Sequence, residues 1–97
     1  MKNLAPIAIF TYNRLDFLKI LIRSLKKNSL SRNSTIYFFS DSWKDTADKK
    51  KVLVVRNFIK KVFGFKKTII ILRDKNYGLA KNVVSGINFV LKNNKKI

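Results

Sequence analysis

With no His, Cys or Glu in 97 residues, this chain must draw any acid–base, nucleophilic or metal chemistry from five Asp residues, Lys, Tyr and backbone groups. That excludes a Ser-His-Asp triad, a His general base, a thiolate metal site and a disulfide framework within the chain. The remaining polar residues gather in three short clusters, each directly after an apolar run. They are Thr11-Tyr12-Asn13-Arg14, Ser40-Asp41-Ser42 and Arg73-Asp74-Lys75-Asn76-Tyr77-Gly78. Two of the clusters lead into amphipathic segments, and the first turn of a helix offers unpaired N–H groups and a positive dipole end. This combination suits a phosphate-bearing nucleotide. Asp41 can accept hydrogen bonds from a base or ribose, while Arg14, Arg73, Lys75 and Lys81 can neutralise a diphosphate. The same residue types also serve as turn and cap chemistry, with Gly78 supplying an unusual backbone angle.

The elements that must position these clusters alternate regularly. Ile7–Tyr12 is short and apolar, which predicts a strand. Asn13 with Asp16 three residues on predicts a helix start, followed by Phe17, Leu18, Leu21, Ile22 and Leu25 at helical spacing. Ile36–Phe39 predicts a second strand, and Lys49–Phe63 a second helix stopped by Gly64. Thr68–Leu72 predicts a third strand. Gly78 then opens a third helix with Leu79, Val83, Val84, Ile87, Val90 and Leu91 inward, and Ile97 stands where a fourth strand begins. The expected fold is α/β: a three-layer, Rossmann-like parallel sheet of order β-α-β-α-β-α along the chain. In such sheets the ligand sits beyond the carboxyl ends of the strands, where strand order reverses, which needs strand one flanked on both sides. Three strands leave one edge bare, a site for self-association. The chain therefore reads as the first half of a larger domain, or as an unusually small one.

Familiar phosphate loops are missing: there is no G-x-x-x-x-G-K-[ST] and no G-x-G-x-x-G. Thr11 and Tyr12 stand where a response-regulator domain needs acids, and the twelfth position counted from Asp41 is Val52 rather than the Glu of a calcium loop. Leu4–Phe10 is too short to span a membrane and no small-residue cleavage site follows it, so a cytoplasmic protein is expected, peripheral at the inner membrane face.

Composition sets the partners. The 46% apolar content excludes a disordered tail. A net charge of +17 attracts nucleic acid, anionic lipid or polyphosphate. Richness in Lys, Asn and Ile reflects coding bias as readily as binding, although such bias normally brings Glu with Lys. A small basic nucleic-acid-binding protein is the alternative reading. Against it, Phe10, Phe38, Phe39, Phe58 and Phe89 fall on apolar faces, and the cations are mostly Lys, which suits loose phosphate attraction better than base reading. No specific nucleic acid is expected. Lys49-Lys50-Lys51, Lys60-Lys61 and Lys66-Lys67 offer a patch for an anionic membrane surface.

Pro6-Ile7-Ala8-Ile9-Phe10-Thr11-Tyr12-Asn13-Arg14, followed by Leu18 and Leu25, resembles the opening of family 2 glycosyltransferases, which have the GT-A fold. Ile36-Tyr37-Phe38-Phe39-Ser40-Asp41 is similar to their second strand with its terminal Asp. Asn76-Tyr77-Gly78-Leu79-Ala80-Lys81-Asn82 resembles their N-x-G-x-x-x-N segment. The resemblance covers essentially the whole chain, residues 1–97, as the amino-terminal nucleotide-binding part of an incomplete GT-A domain. It implies transfer of a sugar, from a UDP-linked donor, to a glycan or lipid-linked acceptor in surface polysaccharide synthesis. It implies that Thr11 and Tyr12 line the base pocket with Arg14 near it, that Asp41 hydrogen-bonds the base, and that Asn76, Gly78 and Lys81 lie near the nucleotide. The family's divalent metal, Mn or Mg, is held by acids ending the next strand, past Ile97, and its catalytic base lies further on. The resemblance therefore implies no catalytic or metal-ligating residue in this chain, which alone is expected to be inactive. On this expectation Asp41→Ala weakens nucleotide binding and leaves the fold intact.

Overall fold

The computed structural model describes residues 5–28 and 31–94. The elements are β1 (Ile7–Thr11), α1 (Leu15–Lys26), a single 3-10 turn (Ser31–Asn33), β2 (Thr35–Ser40), α2 (Thr46–Ile59), β3 (Lys67–Leu72) and α3 (Leu79–Asn93). All three strands are parallel in the order β1-β2-β3, with Ile9 opposite Phe38 and Phe38 opposite Ile70. Ile97 lies outside the described residues.

Strand β2 shows why the sheet has two covered faces. Ile36 and Phe38 pack with Ile9, Leu18, Ile22, Val55 and Ile59, the layer made with α1 and α2. Tyr37 and Phe39 pack on the other face with Val90 of α3, Ala8, Phe10, Ile69 and Ile71. A strand buried on both faces cannot alternate polar and apolar residues, hence its unbroken apolar run. The α/β class and the three layers are as expected. Helix α3 leaves β3 and rests on β2 and β1; within the described sheet, of order β1-β2-β3, β1 and β3 are the edge strands.

Four details differ from the expectation. Asn13 does not cap α1; the cap position is Arg14, with no side-chain cap bond, because the Asn13 amide donates instead to Asp48 at 3.0 Å. Helix α2 begins at Thr46, not Lys49, because the Asp45 side chain caps it by accepting from the Asp48 N–H at 3.1 Å. It ends at Ile59, before Gly64: the N–H groups of Lys61 and Val62 bond three residues back, to Phe58 and Ile59, and this tightening closes the helix. Gly64, at φ 99°, serves the turn into β3.

The fourth difference is the buried face of α3. Its buried residues are Asn82, Gly86 and Val90, while Leu79, Val84 and Leu91 are 75, 60 and 62% exposed. The cause is Gly86. A Cβ there would lie 2.5 Å from the Phe10 ring and 3.1 Å from the Phe39 ring. The helix turns its smallest residue onto the stacked Phe10–Phe39 pair, whose centroids are 5.3 Å apart, and its apolar stripe rotates outward. Phe89 is likewise half-exposed, edge-on to Tyr37 and Phe39. No helix among the described residues is long and apolar enough to cross a membrane.

Gly86→Ala tests this packing. Helix propensity favours Ala by about 1 kcal/mol, but overpacking two aromatic rings costs about 1–3 kcal/mol. Chemical denaturation is expected to show a net loss, whereas a more stable variant means α3 does not sit this close.

Candidate functional site

The ends of the parallel strands bring the three polar clusters to one rim. The Asp41 N–H bonds the Thr11 carbonyl at 2.9 Å, continuing the β1–β2 ladder past the strands, and the Arg73 N–H does the same to the Ser40 carbonyl at 2.9 Å. Asp41 is 4% exposed. Its Oδ1 accepts the N–H groups of Ser42 at 2.9 Å and Tyr77 at 2.8 Å. Its Oδ2 accepts the Gly78 N–H at 3.0 Å and, more weakly, the Asn76 amide at 3.5 Å. Asn76 also donates to the Ser42 carbonyl at 2.8 Å. A carboxylate has about four acceptor positions, and all are engaged within the chain. In this structure Asp41 holds the loop after β3 against the end of β2. A base expected to hydrogen-bond Asp41 thus faces a carboxylate whose acceptor positions are already engaged, and removal of Asp41 is expected to loosen the loop as well.

A second network backs the first. Buried Asn82 donates to the Phe39 carbonyl at 3.1 Å and accepts from Arg73 Nε at 3.0 Å. Arg73 also lies against the Tyr77 ring at 4.6 Å, so it is drawn inward rather than offered to a diphosphate. Arg56, from α2, donates to Ser40 Oγ at 3.0 Å and to the Arg73 carbonyl at 2.8 Å, tying the ends of β2 and β3. Burial pulls the Arg56 guanidinium pKa down from its usual value. On the other flank, the Tyr12 hydroxyl donates to Asp48, which Asn13 also reaches, and this joins the β1–α1 turn to the start of α2.

These networks surround a cavity of about 430 Å³. Thr11, Tyr12, Arg14, Asp41, Asn76 and Gly78 all line it, over an apolar floor that includes Ile9 and Leu18. Of the nine candidate residues, Arg73, Lys75 and Lys81 are not in the wall; the Lys81 ammonium lies 4.6 Å over the Tyr77 ring. Sequence reasoning missed Lys44 and Asn82 in the wall, and Asp48 and Arg56 behind it. The first turns of α1 and α3 begin at Arg14 and Gly78, both at this cavity and both without a side-chain cap bond. Two buried side-chain atoms among the described residues lack a partner, Thr11 Oγ1 and Arg73 Nη2. No group of three His, Cys, Asp or Glu residues among the described residues can hold a metal ion. The carboxylate in the cavity wall is already committed to the loop, so these residues do not fit a metal. No family model, curated protein or solved structure matches this chain.

Two predictions follow from these networks. Asp41→Asn replaces one acceptor oxygen with a donor facing backbone N–H groups, and charged buried hydrogen bonds contribute about 1.5–3 kcal/mol each. Urea denaturation is expected to show a loss of at least about 2 kcal/mol; an unchanged midpoint means the loop is held by other contacts.

The hydrogen bonds from Tyr12 and then Asn13 hold the Asp48 carboxyl below its ordinary pKa. Burial, followed by the Asp48 contact, pushes the Tyr12 phenol above its own. Stability from Asp48 is therefore present above the ordinary carboxylate range and lost as pH falls through the depressed value. Stability from Tyr12 is present below the ordinary phenol range and lost as pH rises through the raised value. The melting-temperature difference between the parent and Tyr12→Phe is expected to hold steady near neutrality and shrink below about pH 4. A difference that does not change with pH contradicts the link.

Proposed function

We propose that this chain binds a nucleotide-sugar, with a uridine diphosphate moiety in the cavity at the strand ends, and that it serves as the nucleotide-binding part of a glycosyltransferase. The observation that carries the proposal is convergence: three separated polar segments share one cavity, and α3 starts at its wall without a side-chain cap. Free N–H groups at helix starts bind phosphate oxygens through hydrogen bonds and the dipole. Arg14 and Lys44, both exposed and in the same wall, add positive charge. The apolar floor gives a base or ribose a dry surface, and Thr11 Oγ1 is a polar group the fold leaves without a partner. The resemblance in three loops to family 2 glycosyltransferases supports the sugar-nucleotide over other phosphate ligands. In that reading the rest of the catalytic apparatus, the acceptor site and the Mn or Mg site belong to residues other than these, and this chain alone binds without turning over.

Arg14→Ala separates this reading from diffuse attraction. Among the described residues Arg14 pairs with Asp16, and both side chains are well exposed, so stability should hold. Titration calorimetry with a uridine diphosphate sugar is expected to show saturable binding that Arg14→Ala weakens about tenfold. Arg23→Ala removes the same charge from the same helix away from the cavity and should leave affinity unchanged. Equal loss in both variants, or binding that vanishes between low and moderate salt, contradicts the proposal and favours the basic nucleic-acid-binding alternative.

A further inference from the structure

The chain's acids gather at one end of the strand direction, whereas its bases occupy both ends. All five Asp residues sit at or near the carboxyl-end rim: Asp16 in the first turn of α1, Asp41 after β2, Asp45 and Asp48 at the start of α2, and Asp74 after β3. Because the strands are parallel, the opposite pole collects the turns that enter β2 and β3 and the ends of the helices. There stand Lys26, Lys27, Lys60, Lys61, Lys66 and Lys67, all exposed, with no acid among them.

The backbone that carries them is ordered. The Lys66 N–H bonds the Ser34 carbonyl at 3.0 Å, and the turns before β2 and β3 meet again where Ser31 Oγ donates to the Gly64 carbonyl at 3.5 Å. From the middle of these lysines projects Phe63, 72% exposed, with the Lys26 ammonium 3.8 Å over its ring. A phenylalanine in this position adds nothing to solubility and little to the core.

We infer that this pole docks on an anionic lipid bilayer, with Phe63 entering the interface and the surrounding lysines facing acidic headgroups. The charge is complementary over the whole pole, and each lysine near an anionic surface strengthens attachment severalfold. An apolar ring within a ring of flexible cations is the side-chain pattern of an interfacial contact, in which lysine stems follow the apolar surface while their charges stay in water. A polynucleotide is matched less well, since the cations here are mostly Lys, with Arg23 and Arg32 beside them, and Lys suits loose attraction better than base reading. Docked this way, the cavity at the opposite rim points into solvent.

Co-sedimentation with vesicles tests the inference. The full chain is expected to pellet with phosphatidylcholine–phosphatidylglycerol vesicles and to stay in solution with phosphatidylcholine alone. Removing three pole charges (Lys60→Ala, Lys61→Ala, Lys66→Ala) should weaken attachment on the order of 100-fold. Removing three charges at the far rim (Lys44→Ala, Lys75→Ala, Lys81→Ala) should weaken it far less. Phe63→Ser should weaken it roughly tenfold with no change in net charge. Equal losses for the two triple variants, equal pelleting with neutral vesicles, or an unaffected Phe63→Ser variant overturns it. So does release from acidic vesicles by single-stranded RNA together with Phe63→Ser-insensitive binding, which would assign the pole to nucleic acid.

Discussion

The Asp41 carboxylate meets three backbone N–H groups and one side-chain amide at the end of the central strand. The loop after β3 has no ladder partner for the amides of Tyr77 and Gly78, and leaving such groups buried and unpaired costs about 1–3 kcal/mol each. Asp41 supplies the acceptors, and in doing so it decides where the chain turns into α3. Gly78, at φ 83°, makes that turn without a side-chain cap, so the first amides of α3 remain available at the cavity. Asn82 and Arg73 then fix the first turn of the helix against the Phe39 carbonyl. The shape of the rim, and any chemistry done there, depends on this one anion.

Its consequence for the site is a division of labour between charged groups. Asp41 and Arg56 spend their hydrogen bonds on the protein, and Arg73 gives its Nε to Asn82. Arg14 and Lys44 line the cavity from exposed positions. On the proposed reading an anionic ligand would meet cations at the rim, while the inward carboxylate is shielded by the amides it holds. The groups proposed to meet a phosphate and the groups that keep the rim in shape are different residues.

Much of the architecture was legible because its signals are local. Unbroken apolar runs such as Ile36–Phe39 specify buried strands, and the periodic residues Leu18 and Ile22 do face the core. That three polar clusters would meet followed from parallel strands ending at one level. What was not legible depends on distant pairing. Nothing local marks Asp48 as the partner of Tyr12 and Asn13, 35 and more residues away. Nothing marks Arg56, in the last turn of α2, as the clamp on two strand ends. The rotation of α3 came from one glycine facing two rings on other strands, which outweighs a stripe of larger apolar residues. Asp41 was recognised as important, but sequence alone does not distinguish a carboxylate that binds a ligand from one that binds its own loop.

The most direct measurement of the central claim is amide chemical-shift mapping of the isotope-labelled chain as uridine diphosphate is added. The account predicts saturable shifts confined to Thr11–Arg14, Asp41–Ser42 and the start of α3 from Asn76 to Asn82, three stretches far apart in sequence. Shifts that fail to saturate, or that spread over the lysine-bearing turns at the opposite pole while these stretches stay still, would contradict it.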